Sequence, residues 1–160
     1  MKAKLIQRDK IMSKLHNRAF HVTSKAGFEG IVSTGSILCQ QEGLELPNRY
    51  GGQAFGRNRG YVSFVNLRSL DDQTVVAGRD RYYFLNPPNV LNEPHFLVVS
   101  EKFADTLLPW TQAKDAGREL WVPYIESYAP SPVDIEHVVE RYYVTIEPSA
   151  WEKRLERRSD

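Results

Sequence analysis

Cysteine is almost missing from this sequence: Cys39 is the only one among 160 residues, so no disulfide can close within the chain. It sits in the apolar run Ser36-Ile37-Leu38-Cys39, where a small buried side chain is the expected role. Histidine is sparse too. His16, His21, His95 and His137 are scattered, and neither CxxC nor HExxH occurs, so no metal site of those kinds is expected. The chain lacks GxGxxG and GxxxxGK[ST], which argues against Rossmann and P-loop nucleotide binding. It also lacks the GxSxG elbow of serine hydrolases. No apolar run is long enough to cross a membrane, and MKAKLIQRDKIMSKL has no uninterrupted apolar stretch of the secretory kind. A cytoplasmic protein without a membrane partner is the expectation.

What is present suits one domain spanning residues 1–160, because 41% hydrophobic residues can build a core at this length. The net charge of +1 is unevenly spread: Lys2, Lys4, Arg8, Lys10, Lys14 and Arg18 crowd the front of the chain with Asp9 alone against them. Such a cluster is a solvated helix face or a contact for nucleic acid phosphates.

Apolar spacing in residues 4–15 predicts an amphipathic helix. Ala19–Thr23 reads as a strand, Ser24 as an N-cap, residues 25–33 as a helix, and Gly35 as its C-terminal exit. Pattern then dissolves between Gln40 and Gly60, where Gly51, Gly52, Gly56 and Gly60 alternate with Arg49, Arg57 and Arg59. Strands are expected at 61–65, 81–85, 95–100, 120–128 and 140–146, with a short extended piece at 133–138. Glu101 to about Gly117 reads as a helix that Pro109 should break, and the closing WEKRLERRSD as a charged helix. Short strands with few helices and no regular βαβ alternation indicate an α+β domain with a largely antiparallel or mixed sheet.

His21 and Thr23, two apart on a strand, point to one side and can address one ligand together. A lone histidine at a strand end can equally be a structural hydrogen-bonding group. Glu126 shares its strand face with Tyr124 and Tyr128. Glu136 and Glu140 are rival carboxylates within DIEHVVER, a stretch that reads as a surface turn entering the last strand. In the loop, arginine forks suit phosphates and glycines let backbone approach a pyrophosphate, so Arg49, Arg57 and Arg59 fit NAD or a nucleic-acid backbone.

The segment FHVTSKAGFEGIVSTGSI resembles the opening motif of the ADP-ribosyltransferase superfamily: a strand with histidine, a following Ser or Thr, a helix, and a Gly-Ile phrase, here His21, Thr23, Ile31, Gly35 and Ile37. GYVSFVNLRS resembles the family's second strand, and ELWVPYIESYAPSPVDIEHVVERYYV its late strand with a glutamate. The resemblance implies an ADP-ribosyltransferase-like fold with a split sheet and a few flanking helices. It implies NAD as substrate, Glu126 as the catalytic carboxylate, and His21, Thr23, Tyr61, Ser63, Arg49 and Arg57 as cofactor contacts. Tyr61 would stack on nicotinamide, with Tyr82 and Tyr83 in reserve. Arg59, Lys10 and Lys14 would meet the acceptor.

Arginine-modifying toxins of the superfamily carry two acids two apart, and position 124 here is Tyr. The chain is closer to the His-Tyr-Glu branch and to toxins that modify nucleic acids, which favours DNA or RNA over protein as acceptor and makes an antitoxin a conceivable partner. Two alternatives stay open: an RNA 2′-phosphotransferase of the same fold, or a binding module without catalysis.

Overall fold

A computed structural model of the chain describes residues 3–5, 10–39, 54–81, 93–115, 117–119 and 121–144. In chain order the elements are β1 (Ala3–Leu5), α1 (Ile11–Leu15), β2 (Ala19–Thr23), α2 (Lys25–Thr34), β3 (Ser36–Ile37), α3 (Phe55–Asn58) and β4 (Tyr61–Asn66). They continue with α4 (Asp72–Arg81), β5 (His95–Val99), α5 (Glu101–Ala104), β6 (Leu108–Pro109), β7 (Glu126–Pro130), β8 (Val133–Asp134) and β9 (Val138–Tyr143). Two 3₁₀ turns cover Trp110–Ala113 and Ile135–His137. The fold is α+β, with a mostly antiparallel open sheet of order β1-β9-β5-β2-β4-β7-β6; β3 and β8 form a separate pair.

β2 is where the sheet divides. It pairs with β5 along its length, from Phe20 opposite Val98 to Thr23 opposite His95. Against β4 it pairs only at Ala19–Asn66 and Phe20–Val65. Beyond Phe20 the two strands part: β2 stays with β5 and β9, while β4 runs on beside β7 through Tyr61–Pro130.

Each sheet face buries its own core. Phe20, Val65, Phe96, Val98, Ile125 and Tyr142 pack beneath Ile11 and Leu15 of α1. Ala19, Val62, Phe64, Leu97, Val99 and Ala129 pack on the other face with Ile31 of α2 and Ile37 of β3. Cys39 lies half-buried against this second core, and its N–H donates to Ser131 Oγ at 3.1 Å, which fits a small packing residue.

α2 begins and ends as its residues predict. The Ser24 hydroxyl accepts from Gly27 N–H at 3.0 Å, and Gly35 closes the helix at φ 73 in the left-handed region, where only glycine sits without strain. Gly27 is required for a different reason: a Cβ there would lie 2.1 Å from Thr23 Oγ1, so the helix rides directly on β2.

Several expected boundaries move. Of the helix expected over 4–15, Ile11–Leu15 is helical, whereas Lys4 and Leu5 belong to β1, which pairs in parallel with β9 and so satisfies that strand's outer edge; residues 6–9 lie outside those described. The expected strand at 81–85 fails at Arg81, which ends a helix; residues 82–85 lie outside those described. That helix, α4, has little apolar periodicity to reveal it. Its start is marked by the Asp71 side chain accepting from Thr74 N–H at 2.9 Å, and Gly78 lets Ile125 approach to 2.7 Å of where a Cβ would stand.

The helix over 101–117 ends at Ala104, since Leu108 and Pro109 pair with Tyr128 and Ser127 of β7. Pro109 lacks an N–H and is tolerated there because β6 is the sheet edge. The strand over 120–128 begins only at Glu126; Pro123–Ile125 form a turn, with Tyr124 at φ 67. The last strand ends at Tyr143, and Arg49, Tyr82, Tyr83 and the closing charged segment lie outside the described residues.

Phe20 sits fully buried at the joint between the two sheet halves, edge-to-face with Phe96 at 6.1 Å. Phe20→Ala should cost about 3–5 kcal/mol, since the cavity cannot be filled from two diverging strands. Urea unfolding of the variant measures this.

Candidate functional site

His21 sits just past the last β2–β4 pair, where β4 leaves a backbone carbonyl without a strand partner on that side. Its Nδ1 lies 2.9 Å from the carbonyl oxygen of Ser63. A carbonyl only accepts, so Nδ1 carries the proton. Burial holds the imidazole pKa below its ordinary value, outweighing the opposing pull of that hydrogen bond, so the ring is neutral near pH 7. Nε2 is therefore an acceptor, suited to a hydroxyl donor and not to a phosphate.

The imidazole borders a cavity of about 210 Å³ between β2, α2 and β3, shared with Thr23, Gly27, Gly30, Thr34 and Ile37. Binding sites for whole drug-sized ligands are usually about 300–1,000 Å³. This cavity therefore has room for a fragment and not for a whole ligand of that size.

Glu126 belongs to a second polar group on the other half of the sheet. It stands opposite Val65, as Tyr128 stands opposite Ser63 and Pro130 opposite Tyr61, so Glu126, Tyr128, Ser63 and Tyr61 share one face. The carboxylate is buried, 5% exposed, and Oε2 accepts the Val122 N–H at 2.6 Å. Desolvation dominates and raises the Glu126 pKa to about 7, against the opposing pull of the Val122 N–H and of the Ser63 side chain. The Tyr128 hydroxyl is buried with no hydrogen-bond partner among the described residues, and burial together with the Glu126 charge drives its pKa up. An orphan hydroxyl beside an ionisable carboxylate is costly for folding, and such groups concentrate at functional sites.

α3 closes this second group. A Cβ on Gly56 would meet Ser63 Oγ at 2.4 Å and the Tyr128 ring at 3.3 Å. Phe55 packs against Tyr128 at 5.0 Å and stacks on Tyr61 at 6.4 Å, leaving Tyr61 half-buried. Arg57 is half-buried in the last turn of α3, while Arg59 at its end pairs with Glu119 at 3.5 Å. Lys10 and Lys14 lie exposed on and beside α1 and belong to neither polar group.

Three adjacent strands thus carry the expected residues, yet not on one surface. The Phe20–Val65 and Val65–Glu126 pairs put Phe20 and Glu126 on the same face, and His21 alternates to the opposite one. Ser63 lies between the two sides: its carbonyl accepts from His21, and its side chain shares the Glu126 face. Tyr124, expected beside Glu126 by alternation, instead stands 59% exposed in the preceding turn, because its left-handed backbone breaks the period of two.

The rival carboxylates have other partners. Glu140 on β9 binds Arg18 at 2.7 Å and the Tyr142 hydroxyl, which hold its pKa below the usual range. With β5, β2 and β4 between β9 and β7, Glu140 is roughly 19 Å from Glu126 across the sheet. Glu136 is exposed in a 3₁₀ turn. Among the described residues no cluster of His, Cys, Asp or Glu could hold a metal, and no helix is long and apolar enough to cross a membrane.

No protein-family model matches the chain, and no curated protein or solved structure is significantly similar to it.

A glutamate with a raised native pKa binds a proton that the unfolded chain has already lost. Stability should therefore fall as pH rises from about 4.5 to about 7, then level off. The contribution is roughly 3 kcal/mol at most. Glu126→Gln should remove this slope, and the difference between wild-type and variant urea midpoints across that pH range measures it.

Proposed function

We propose that the chain is an NAD-dependent mono-ADP-ribosyltransferase with an ADP-ribosyltransferase-like split-sheet fold, acting on a nucleic acid in preference to a protein. The observation that carries this reading is Ser63, whose carbonyl holds His21 while its side chain lies on the face of Glu126, at the place where the β2–β4 pairing ends. A cofactor would run through that parting and not along a single face. On this reading the neutral His21 accepts a hydroxyl of the adenosine ribose, with Thr23 beside it, and Tyr61 and Ser63 line the nicotinamide side. Arg57 and Arg49 neutralise the pyrophosphate, and Arg59, Lys10 and Lys14 face the acceptor.

The chemistry needs a carboxylate. Nicotinamide leaves with the electron pair of its bond to the ribose anomeric carbon, and the positive charge developing on the sugar is of the kind glycosidases stabilise with carboxylates. Glu126 would oppose that charge and take the proton of the acceptor nucleophile as its bond to the anomeric carbon forms. The Val122 N–H now holds Glu126 inside, so the Val122–Ile125 turn must swing away before substrate can be reached. That sealing also favours a second reading, a nucleic-acid- or partner-binding module without catalysis.

Labelled NAD incubated with DNA, RNA and protein acceptors decides between these readings. The transferase reading expects label on a nucleic acid, with a rate that rises with pH through about 7 as Glu126 ionises. Glu126→Gln should lower turnover at least about 100-fold while the protein stays folded. His21→Ala should raise the Michaelis constant for NAD about three- to tenfold, as loss of one hydrogen bond would. No transfer and no NAD hydrolysis, with nucleic acid still bound, would establish the module instead.

A further inference from the structure

Trp110, Trp121 and Tyr124 form an aromatic group at the edge of the cluster of Phe55, Ala113 and Tyr128. Trp110 and Trp121 stack with ring centroids 5.8 Å apart and planes 12° from parallel, and Tyr124 leans on Trp110 at 4.8 Å. Trp121 is anchored from behind, packed against the cluster of Phe55, Ala113 and Tyr128. Both tryptophans are half-buried, whereas Tyr124 is 59% exposed. Its backbone stands at φ 67, a left-handed conformation that costs a bulky residue about 1–2 kcal/mol. A fold that bears this strain and still leaves the ring in water is presenting the ring.

The surroundings are cationic. The Lys114 ammonium lies 5.1 Å from the Trp110 ring centroid. Arg118 is exposed nearby in sequence, and Glu119 beside it bonds Asn58 at 2.9 Å and Arg59 at 3.5 Å, which ties the segment to α3 and its arginines. The acids close by are Asp115 and Glu119, and Glu119 is engaged by Arg59. Flat rings behind an open tyrosine, with the Lys114 ammonium at their edge, match a strand of polyanion whose bases are free to stack. A base paired inside a duplex would have no face to offer.

We propose that Tyr124, backed by Trp110 and Trp121 and bordered by Lys114, is a stacking site for an unpaired base of a single-stranded nucleic acid. The site commits the chain to single strands. It rests on the transferase reading only for its purpose, the seating of the acceptor beside Glu126; the binding itself needs neither NAD nor catalysis.

The test is fluorescence anisotropy at fixed salt with a labelled oligothymidylate of about 12 nucleotides, compared with the same strand in a duplex with oligoadenylate. The single strand should bind at least about tenfold tighter than the duplex. Y124L and W110L should each weaken it about tenfold without lowering the thermal midpoint, and W110F should restore it. Tyr124 is exposed, so Y124L keeps the test valid if W110L fails to fold. Strand binding by the wild-type protein with no turnover of NAD would bear on the catalytic reading alone and leave the site standing. Equal affinity for duplex, no binding of the single strand, or full affinity in Y124L would overturn the site. So would a dimer in sedimentation that Y124L dissolves, because the ring would then be covered by a second copy.

Discussion

The hydrogen bond from His21 to the Ser63 carbonyl is the contact on which the rest of the site depends. β2 and β4 share only two residue pairs before they separate, and separated strands leave backbone groups that burial would make costly. The imidazole takes the place of the missing partner strand at Ser63. It also fixes its own tautomer in doing so, and its free nitrogen becomes an acceptor at the edge of the cavity between β2, α2 and β3.

The same parting explains the electrostatics on the other half of the sheet. Once β4 leaves β2, its face carrying Ser63 is covered by α3 and by the Val122–Ile125 turn, not by the helices over β5 and β9. Cover of that kind desolvates Glu126 and the Tyr128 hydroxyl. The stability gained by burying Tyr128, Phe55 and Ala113 is set against a carboxyl that resists ionisation until about pH 7. A glutamate kept for packing alone would be better replaced by an apolar residue. Its burial beside the Tyr128 hydroxyl is what singles it out over Glu136 and Glu140, whose surroundings are exposed or ion-paired.

Much of the local structure was legible from residues. Ser24, Gly35 and the apolar positions between them specify α2, and the alternation of Tyr61–Val65 and His95–Val99 specifies two strands. Prediction failed where tertiary pairing overrode local pattern. Lys4 and Leu5 gave up a helix to extend the sheet, Leu108–Pro109 gave up another to reach β7, and α4 was hidden because its sequence has little apolar stripe. Tyr124 was misassigned because a left-handed residue that is neither glycine nor asparagine leaves no mark in the sequence.

The sequence by itself determined the α+β class, the strand-helix unit around His21 and the alternation that puts Glu126 beside Tyr128, since each follows from spacing within a few residues. Only the tertiary structure decided that His21 and Glu126 leave the sheet on opposite faces, that Ser63 lies between them, and that the carboxyl is sealed. Those outcomes depend on register between strands far apart in the chain, and a shift of one residue in any pairing would exchange the faces.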